Sequence, residues 1–139
     1  MLLIDNLEAR VESFLGQLGL EGAFRARGVT ALDGGGGAVL VTCFEQDEDT
    51  WCRIVAVALC GIEPTLDVLH DLLRRNRDVL FGAWQLFDDG TVAFSVTLPG
   101  GTLDSDGFAK ALRYASWVAS SAAPQIGGAS CGARWPQPS

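Results

Sequence analysis

Residues 72–98 read LLRRNRDVLFGAWQLFDDGTVAFSVTL, and this stretch decides the fold of the chain. It begins as the end of an amphipathic helix whose last turn is basic, which suits the negative pole of a helix dipole. Phe81-Gly82 then turns the chain into two short apolar strands that are joined at Asp89-Gly90. The stretch therefore predicts a helix followed by an antiparallel hairpin, and nothing in it resembles a catalytic motif.

The length of the turn decides which side chains of this hairpin share a face. A three-residue turn, 88–90, sets Leu86 beside Val92 and Trp84 beside Phe94, whereas a two-residue turn separates both pairs. The longer turn keeps the large apolar side chains together. We therefore expect a three-residue turn whose last residue, a glycine, has the left-handed conformation of a bulge.

Composition and charge restrict the class of protein. The chain has 139 residues, 48% of them hydrophobic, which is enough for one domain with a sizeable core. A net charge of −7 and a pI near 4.5 oppose direct binding of nucleic acid, because a phosphate backbone selects a basic surface. The first residues, MLLIDNLE, lack a basic region and a continuous apolar run, so we expect no signal peptide, no membrane contact and a cytoplasmic location.

Hydrophobic periodicity predicts an α+β fold, an antiparallel sheet of about five strands with three helices in the order α-β-β-β-α-β-β-α. We expect the sheet to pack against the first and third helices, with the second crossing between the two groups of strands. Residues 1–123 form a single domain in this interpretation, and residues 124–139, rich in Gly, Pro and Ser, form an irregular tail. The elements that precede the hairpin are a helix at 3–18, strands at 24–32, 38–45 and 51–60, and a helix that starts at 63–66.

The second helix has apolar residues at helical spacing, and they predict a buried stripe made of Leu66, Leu69, Leu72 and Leu73. His70 is the only histidine of the chain and lies off that stripe among charged residues. We therefore interpret it as a surface residue and not as a catalytic base.

The strand at 51–60 is apolar on both faces, which a strand with one solvated face would not be. Either helices cover both of its sides or another chain covers one of them. Because three helices cover only one face of a five-stranded sheet, we predict a homodimer; the alternative is a monomer whose open surface is a client groove. The residues predicted to bind a partner are Trp51, Arg53, Val55 and Val57 on this strand and the basic cluster Arg74, Arg75 and Arg77.

No catalytic, cofactor-binding or metal-binding residue is predicted. GASCG at 128–132 matches the letters G-x-S-x-G, but no acid and histidine partners follow it. One histidine and four dispersed cysteines without C-x-x-C spacing supply no local metal ligands. Cys43 and Cys52 can lie opposite each other across a hairpin centred near 47–48, and whether a disulfide joins them stays open.

Several features of the second half of the chain occur together in one known family. They are Leu72-Leu73, Asn76, Phe81-Gly82, the large apolar residue Trp84, Asp89-Gly90 and the strand end Leu98-Pro99. With these features the second half of the chain resembles the YbjN-like family, and the order of elements resembles the type III secretion chaperone-like fold. The resemblance implies a small α+β domain, often a homodimer, that binds a protein client and catalyses no reaction. The alternative function is an accessory or regulatory domain of a nucleic-acid-metabolism complex that acts through protein contacts.

Overall fold

The computed structural model describes residues 3–20, 24–26, 29–33 and 38–128, the two short ranges between 24 and 33 as backbone alone. Helices and strands follow one another in an order close to the predicted one. The elements are α1 (Leu3–Gln17), β1 (Phe24–Ala26), β2 (Val29–Asp33), β3 (Ala38–Gln46), β4 (Asp49–Leu59), α2 (Leu66–Asp78), β5 (Ala83–Leu86), β6 (Val92–Pro99), α3 (Ser105–Ala122) and a 3₁₀ helix (Ala123–Gly128).

All strands belong to one antiparallel sheet with the order β1-β2-β3-β4-β6-β5. The predicted α+β class and the order of its helices are confirmed, with six strands where about five were expected. The extra strand arises because residues 24–32, predicted as one strand, fold back on themselves and pair as β1 with β2.

The helices α1 and α3 contact each other and cover one side of the sheet, which we call the helix face. There α1 contacts β3 and β4, and α3 contacts β4 and β6, as predicted. Helix α2 contacts β5 and the 3₁₀ helix, so it lies at the β5 end of the sheet. The opposite side of the sheet, the outer face, carries the alternate residues of the same strands.

The β5–β6 hairpin has the predicted register. Leu86 lies opposite Val92 and Trp84 opposite Phe94. The Phe87 amide donates to the Thr91 carbonyl at 2.9 Å, which leaves a three-residue turn. Gly90 closes this turn with a φ of 84°, the left-handed conformation that a glycine adopts without strain.

Strand β4 carries a β-bulge that changes which face its last residues occupy. Val57 pairs with Ala93 on β6, but Leu59 pairs with the next residue, Val92, so Ala58 has no opposite residue. The extra residue shifts the two-residue alternation by one position. A strict two-residue alternation along 51–60 would put Leu59 on the same face as Val57, but because of the bulge Leu59 lies on the helix face and belongs to the core.

Ordered packing extends past the domain boundary expected at residue 123. The 3₁₀ helix Ala123–Gly128 contacts α2 and α3, and its Ile126 is fully buried. The rest of the predicted irregular tail, residues 129–139, lies outside the described residues.

Asn76, near the end of α2, joins this helix to the edge strand β5. Its Oδ1 accepts a hydrogen bond from the Trp84 amide, and its Nδ2 donates to the Trp84 carbonyl at 3.3 Å. Both backbone groups of Trp84 thus point away from β6 and are satisfied by one side chain. The amide of Asn76 takes the place of a neighbouring strand, because a carboxamide offers one donor and one acceptor in the same plane.

We expect Asn76→Ala to destabilise the protein by about 1–3 kcal/mol, because it leaves a partly buried backbone donor and acceptor without partners. The free energy of unfolding in urea measures this change. Asn6→Ala is the matched control, since Asn6 is an exposed asparagine on α1. An Asn76→Ala variant as stable as this control would contradict the role given to the Asn76 amide.

Gly82, between α2 and β5, generates a second prediction. Its φ is 96°, and a Cβ there would lie 2.6 Å from the Ser95 carbonyl oxygen. Gly82→Ala is therefore expected to cost on the order of 2 kcal/mol or more, as strain and steric overlap add. Gly101→Ala is the control, since a Cβ at Gly101 meets no atom within 4 Å. Thermal unfolding of both variants gives the comparison, and equal melting temperatures would contradict it.

Candidate protein-binding surfaces

The residues predicted on β4 lie together on the outer face. Trp51, Arg53 and Val55 alternate with the buried Cys52 and Ile54, and their cross-strand neighbours on β3 are Phe44, Thr42 and Leu40. Trp51 and Val55 are half-buried, and Arg53 is exposed. Val57 lies on the same face, but only 5% of its surface is exposed, so it offers a partner little contact area.

The Arg53 side chain on the outer face contacts both neighbouring strands. Its guanidinium carbon is 4.7 Å from the centre of the Phe44 ring, and its Nε donates to Thr97 Oγ1 on β6 at 3.1 Å. Stacking on an aromatic ring and one hydrogen bond leave the terminal nitrogens of the guanidinium as donors. A carboxylate or a backbone carbonyl of a bound chain is the natural acceptor for them.

Trp51 lies next to Arg53 at the β3–β4 turn. Its indole Nε1 donates to the Gln46 carbonyl at 3.3 Å, which fixes one edge of the ring. Its cross-strand neighbour Phe44 adds a second aromatic ring, so this end of the outer face presents aromatic surface beside a cation. Aromatic residues and arginine are the residue types that concentrate binding energy in protein interfaces.

The arginines predicted to bind a partner lie on α2, away from β4 in the sheet order, and differ in their contacts. Arg75 Nε donates to Asp71 Oδ2 at 3.0 Å, and its NH2 donates to Gln125 Oε1 at 3.4 Å, so this residue ties α2 to the 3₁₀ helix. Arg77 pairs with Asp78 at 3.3 Å on the surface. The structure therefore does not bring Arg74, Arg75 and Arg77 onto the face that carries Trp51 and Arg53.

The outward side of α2 is apolar, contrary to the expectation that all its leucines are buried. Only Val68 and Leu72 point into the core. The exposed fractions of the other leucine side chains are 59% for Leu66, 41% for Leu69 and 68% for Leu73. Their spacing of three and four residues puts them in one stripe along the helix, which we call the α2 leucine face.

The reason lies in the position of α2. A helix that contacts one short strand and a 3₁₀ helix buries a narrow stripe, and here Val68 and Leu72, four residues apart, fill it. The sequence contained the signal, because Val68 and Leu72, four residues apart, form a second apolar row beside the leucine stripe. His70 is exposed, as predicted, and borders the leucine face.

A groove of about 330 Å³ lies between the C-terminal halves of α2 and α3. Trp84 and Tyr114 are among its lining residues, with Val79 and Ala122, and Arg75 and Asp78 are the charged residues in it. Trp117 of α3, also part of the lining, is mostly exposed. Trp117 was not predicted as a surface residue, although the sequence contained the signal, because at helical spacing it lies on the side of α3 opposite Phe108 and Ala115.

Two titratable side chains near the β5–β6 turn have shifted pKa values. Hydrogen bonds from Thr91 lower the pKa of Asp89, and burial together with the Asp89 charge raises the pKa of Cys60. Among the described residues, no cluster of three or more His, Cys, Asp and Glu side chains could hold a metal ion. No helix in the described part of the chain is long and apolar enough to cross a bilayer. The G-x-S-x-G match at 128–132 lies almost wholly outside the described residues.

No family model matches the sequence, and no curated protein matches it either. Solved structures do share its fold. A chain of the ExsC–ExsE complex superposes with a TM-score of 0.69 at 14% identity, over 91% of this chain and 97% of that chain. For a chain in the structure of the Yersinia pestis type III secretion chaperone SycH with a stable fragment of YscM2, the TM-score is 0.61 at 20% identity, over 81% of this chain and 96% of that chain.

YbjN from E. coli is similar as well, with a TM-score of 0.56 at 20% identity, over 84% of this chain and 91% of that chain. These superpositions show a common fold. They confirm the predicted resemblance at the level of the fold. The protein therefore has a YbjN-like, type III secretion chaperone-like fold.

Proposed function

We propose that this protein is a non-catalytic, chaperone-like adaptor of the cytoplasm that binds a protein client as a homodimer. The observation that carries the proposal is the α2 leucine face, three large apolar side chains exposed on one stripe of a well-formed helix. Contiguous apolar surface of this kind marks protein contacts in water-soluble domains. Its position on a fold shared with secretion chaperones supports the same conclusion.

A second copy of the chain fits the α2 leucine face in shape and in charge. Two-fold symmetry pairs the stripe with itself, so no second complementary surface is needed. The start of α2 carries Asp67, and its last turns carry Arg74 and Arg77. When two copies of α2 run antiparallel, the acidic start of each helix meets the basic end of the other. The arginines predicted to bind a partner would then serve the dimer contact.

The outer face is the proposed client site, because it combines half-buried apolar residues with an oriented cation. Trp51 and Val55 supply apolar contact, and Arg53, held on Phe44, supplies hydrogen-bond donors. An extended segment of client that carries apolar residues and a carboxylate matches this surface. Val57 contributes little to this site, because only 5% of its surface is exposed.

The dimer is tested by the double variant Leu69→Glu/Leu73→Glu. At micromolar concentration we expect the wild-type protein to scatter light as a particle of twice 14.7 kDa, and the variant as 14.7 kDa, because four charges would be desolvated in each interface. Both changed positions are solvent-exposed in the single chain, so circular dichroism should be unchanged.

Leu3→Glu is the matched control, since Leu3 is a 70% exposed leucine on α1, and this variant should keep the wild-type mass. A wild-type mass near one chain without concentration dependence would remove the dimer from the proposal. The α2 leucine face would then be the better candidate for the client groove.

The client site is tested by affinity capture with Trp51→Ala/Arg53→Ala and, as control, Trp117→Ala on α3. We expect the double variant to lose at least about tenfold of the affinity for the partner that the wild type captures, since truncating interface anchors typically costs more than 1 kcal/mol. The Trp117→Ala control should retain the wild-type affinity.

A salt titration separates an apolar contact from a contact that depends on nucleic acid, because the affinity of the second falls steeply with added salt. If the wild-type protein captures no partner whose binding the double variant loses, the result contradicts the proposed function.

A further inference from the structure

Cys43 of β3 and Cys52 of β4 are direct cross-strand neighbours. The turn between the strands consists of Asp47 and Glu48, whose φ values of 54° and 69° are both positive. Two successive positive φ angles define a two-residue type I′ hairpin turn, which a hydrogen-bonded pair of residues closes. In this hairpin the closing pair is Gln46 and Asp49.

Hydrogen-bonded and non-hydrogen-bonded pairs alternate along an antiparallel ladder, so the kind of pair at Cys43 follows from the turn. Counting from the closing pair makes Glu45–Thr50 and Cys43–Cys52 non-hydrogen-bonded pairs. An independent contact agrees with this count. The Gly100 amide donates to the Thr50 carbonyl at 2.7 Å, so the backbone of Thr50 points away from β3.

Such pairs have the geometry that a disulfide requires. Opposite Cα atoms in a non-hydrogen-bonded pair are about 4.5 Å apart, and disulfides span Cα distances of roughly 4.4–6.8 Å. Both side chains project from the sheet on the same face, as residues in register do. No other pair of cysteines among the described residues is opposed in this way, since Cys60 follows the end of β4.

We propose that Cys43 and Cys52 form a redox pair, which hydrogen peroxide converts to a cross-strand disulfide and which a small dithiol restores. The half-buried Cys43 meets the oxidant. Its thiolate sulfur attacks one peroxide oxygen, the O–O bond breaks, and water and a Cys43 sulfenic acid result. The Cys52 sulfur then attacks the Cys43 sulfur, the S–O bond breaks, and a second water leaves. Two thiols are oxidised by two electrons, and one peroxide is reduced to two waters.

The environments of the two thiols suit these different roles. Cys52 is 0% exposed, and a hydrogen bond with Cys43 together with burial raises its pKa far above the usual range of a thiol. Cys52 is therefore a thiol in the reduced protein and is out of reach of solvent, and as its sulfur attacks the Cys43 sulfur, its proton passes to the departing oxygen, which leaves as water. Cys43, which reaches the surface in part, is the residue that a dissolved oxidant can attack.

Mass spectrometry of the full chain tests the proposal. After treatment with peroxide, the protein should lose about 2 Da, the mass of two hydrogens, and alkylation in denaturant should leave Cys43 and Cys52 unmodified. Digestion should yield one cross-linked peptide pair containing both residues, and dithiothreitol should reverse the change. Cys60→Ser should behave as the wild type, whereas Cys43→Ser should leave Cys52 fully open to alkylation.

Three outcomes overturn the redox pair. If Cys60 or Cys131 is protected from alkylation in place of Cys43 or Cys52, the disulfide joins a different pair of cysteines. Accumulation of a Cys43 sulfinic acid beside a free Cys52 would show that the second thiol does not resolve the first. Absence of any mass change would show that the pair is inert. None of these measurements uses a client or the dimer, so the redox pair and the proposed function can fail separately.

Discussion

The hydrogen bonds between the Asn76 side chain and the backbone of Trp84 determine how the second half of the molecule is arranged. They fix α2 against β5 and also fix the rotation of α2 about its own axis. Asn76 follows Val68 and Leu72 at steps of four residues, so its bonds to Trp84 hold this row of α2 against the sheet edge, and Val68 and Leu72 are buried. Helix α2 packs on β5 and the 3₁₀ helix, and this contact buries a narrow row. Leu66, Leu69 and Leu73 lie on the adjacent row and stay exposed.

Most of the fold followed from local patterns in the sequence, and the failures have identifiable physical causes. The β5–β6 register was predictable, because a turn glycine and pairs of large apolar residues favour the same alignment. The face on which Leu59 lies was not predictable, because a bulge at Ala58 does not change the residue pattern of an apolar run. The split of residues 24–32 into β1 and β2 was missed, because short strands and one longer strand share the same alternation.

The presence of a partner surface on β4 was predictable from the sequence, but the contacts that orient its side chains were not. That β4 is apolar on both faces indicated a surface in need of a partner, and Trp51, Arg53 and Val55 do share the outer face. The contacts of Arg53 with Phe44 and Thr97 come from three different strands and could not be derived from any one segment. For α2 the pattern contained two apolar rows, and only the tertiary position of the helix selects the buried one.

The closed edge at Trp84 also restricts how a client can bind. A client strand that extends the sheet needs free backbone groups at an edge, and on β5 those of Trp84 are already occupied by Asn76. The other edge strand is β1, at the far end of the sheet order. Adding a strand at β5 would therefore have to displace the Asn76 bonds, whereas the outer face can bind the proposed client through side chains without any free edge. The contacts of Arg53 favour the second mode, because its guanidinium lies over the Phe44 ring and offers its terminal N–H groups at the surface of the sheet.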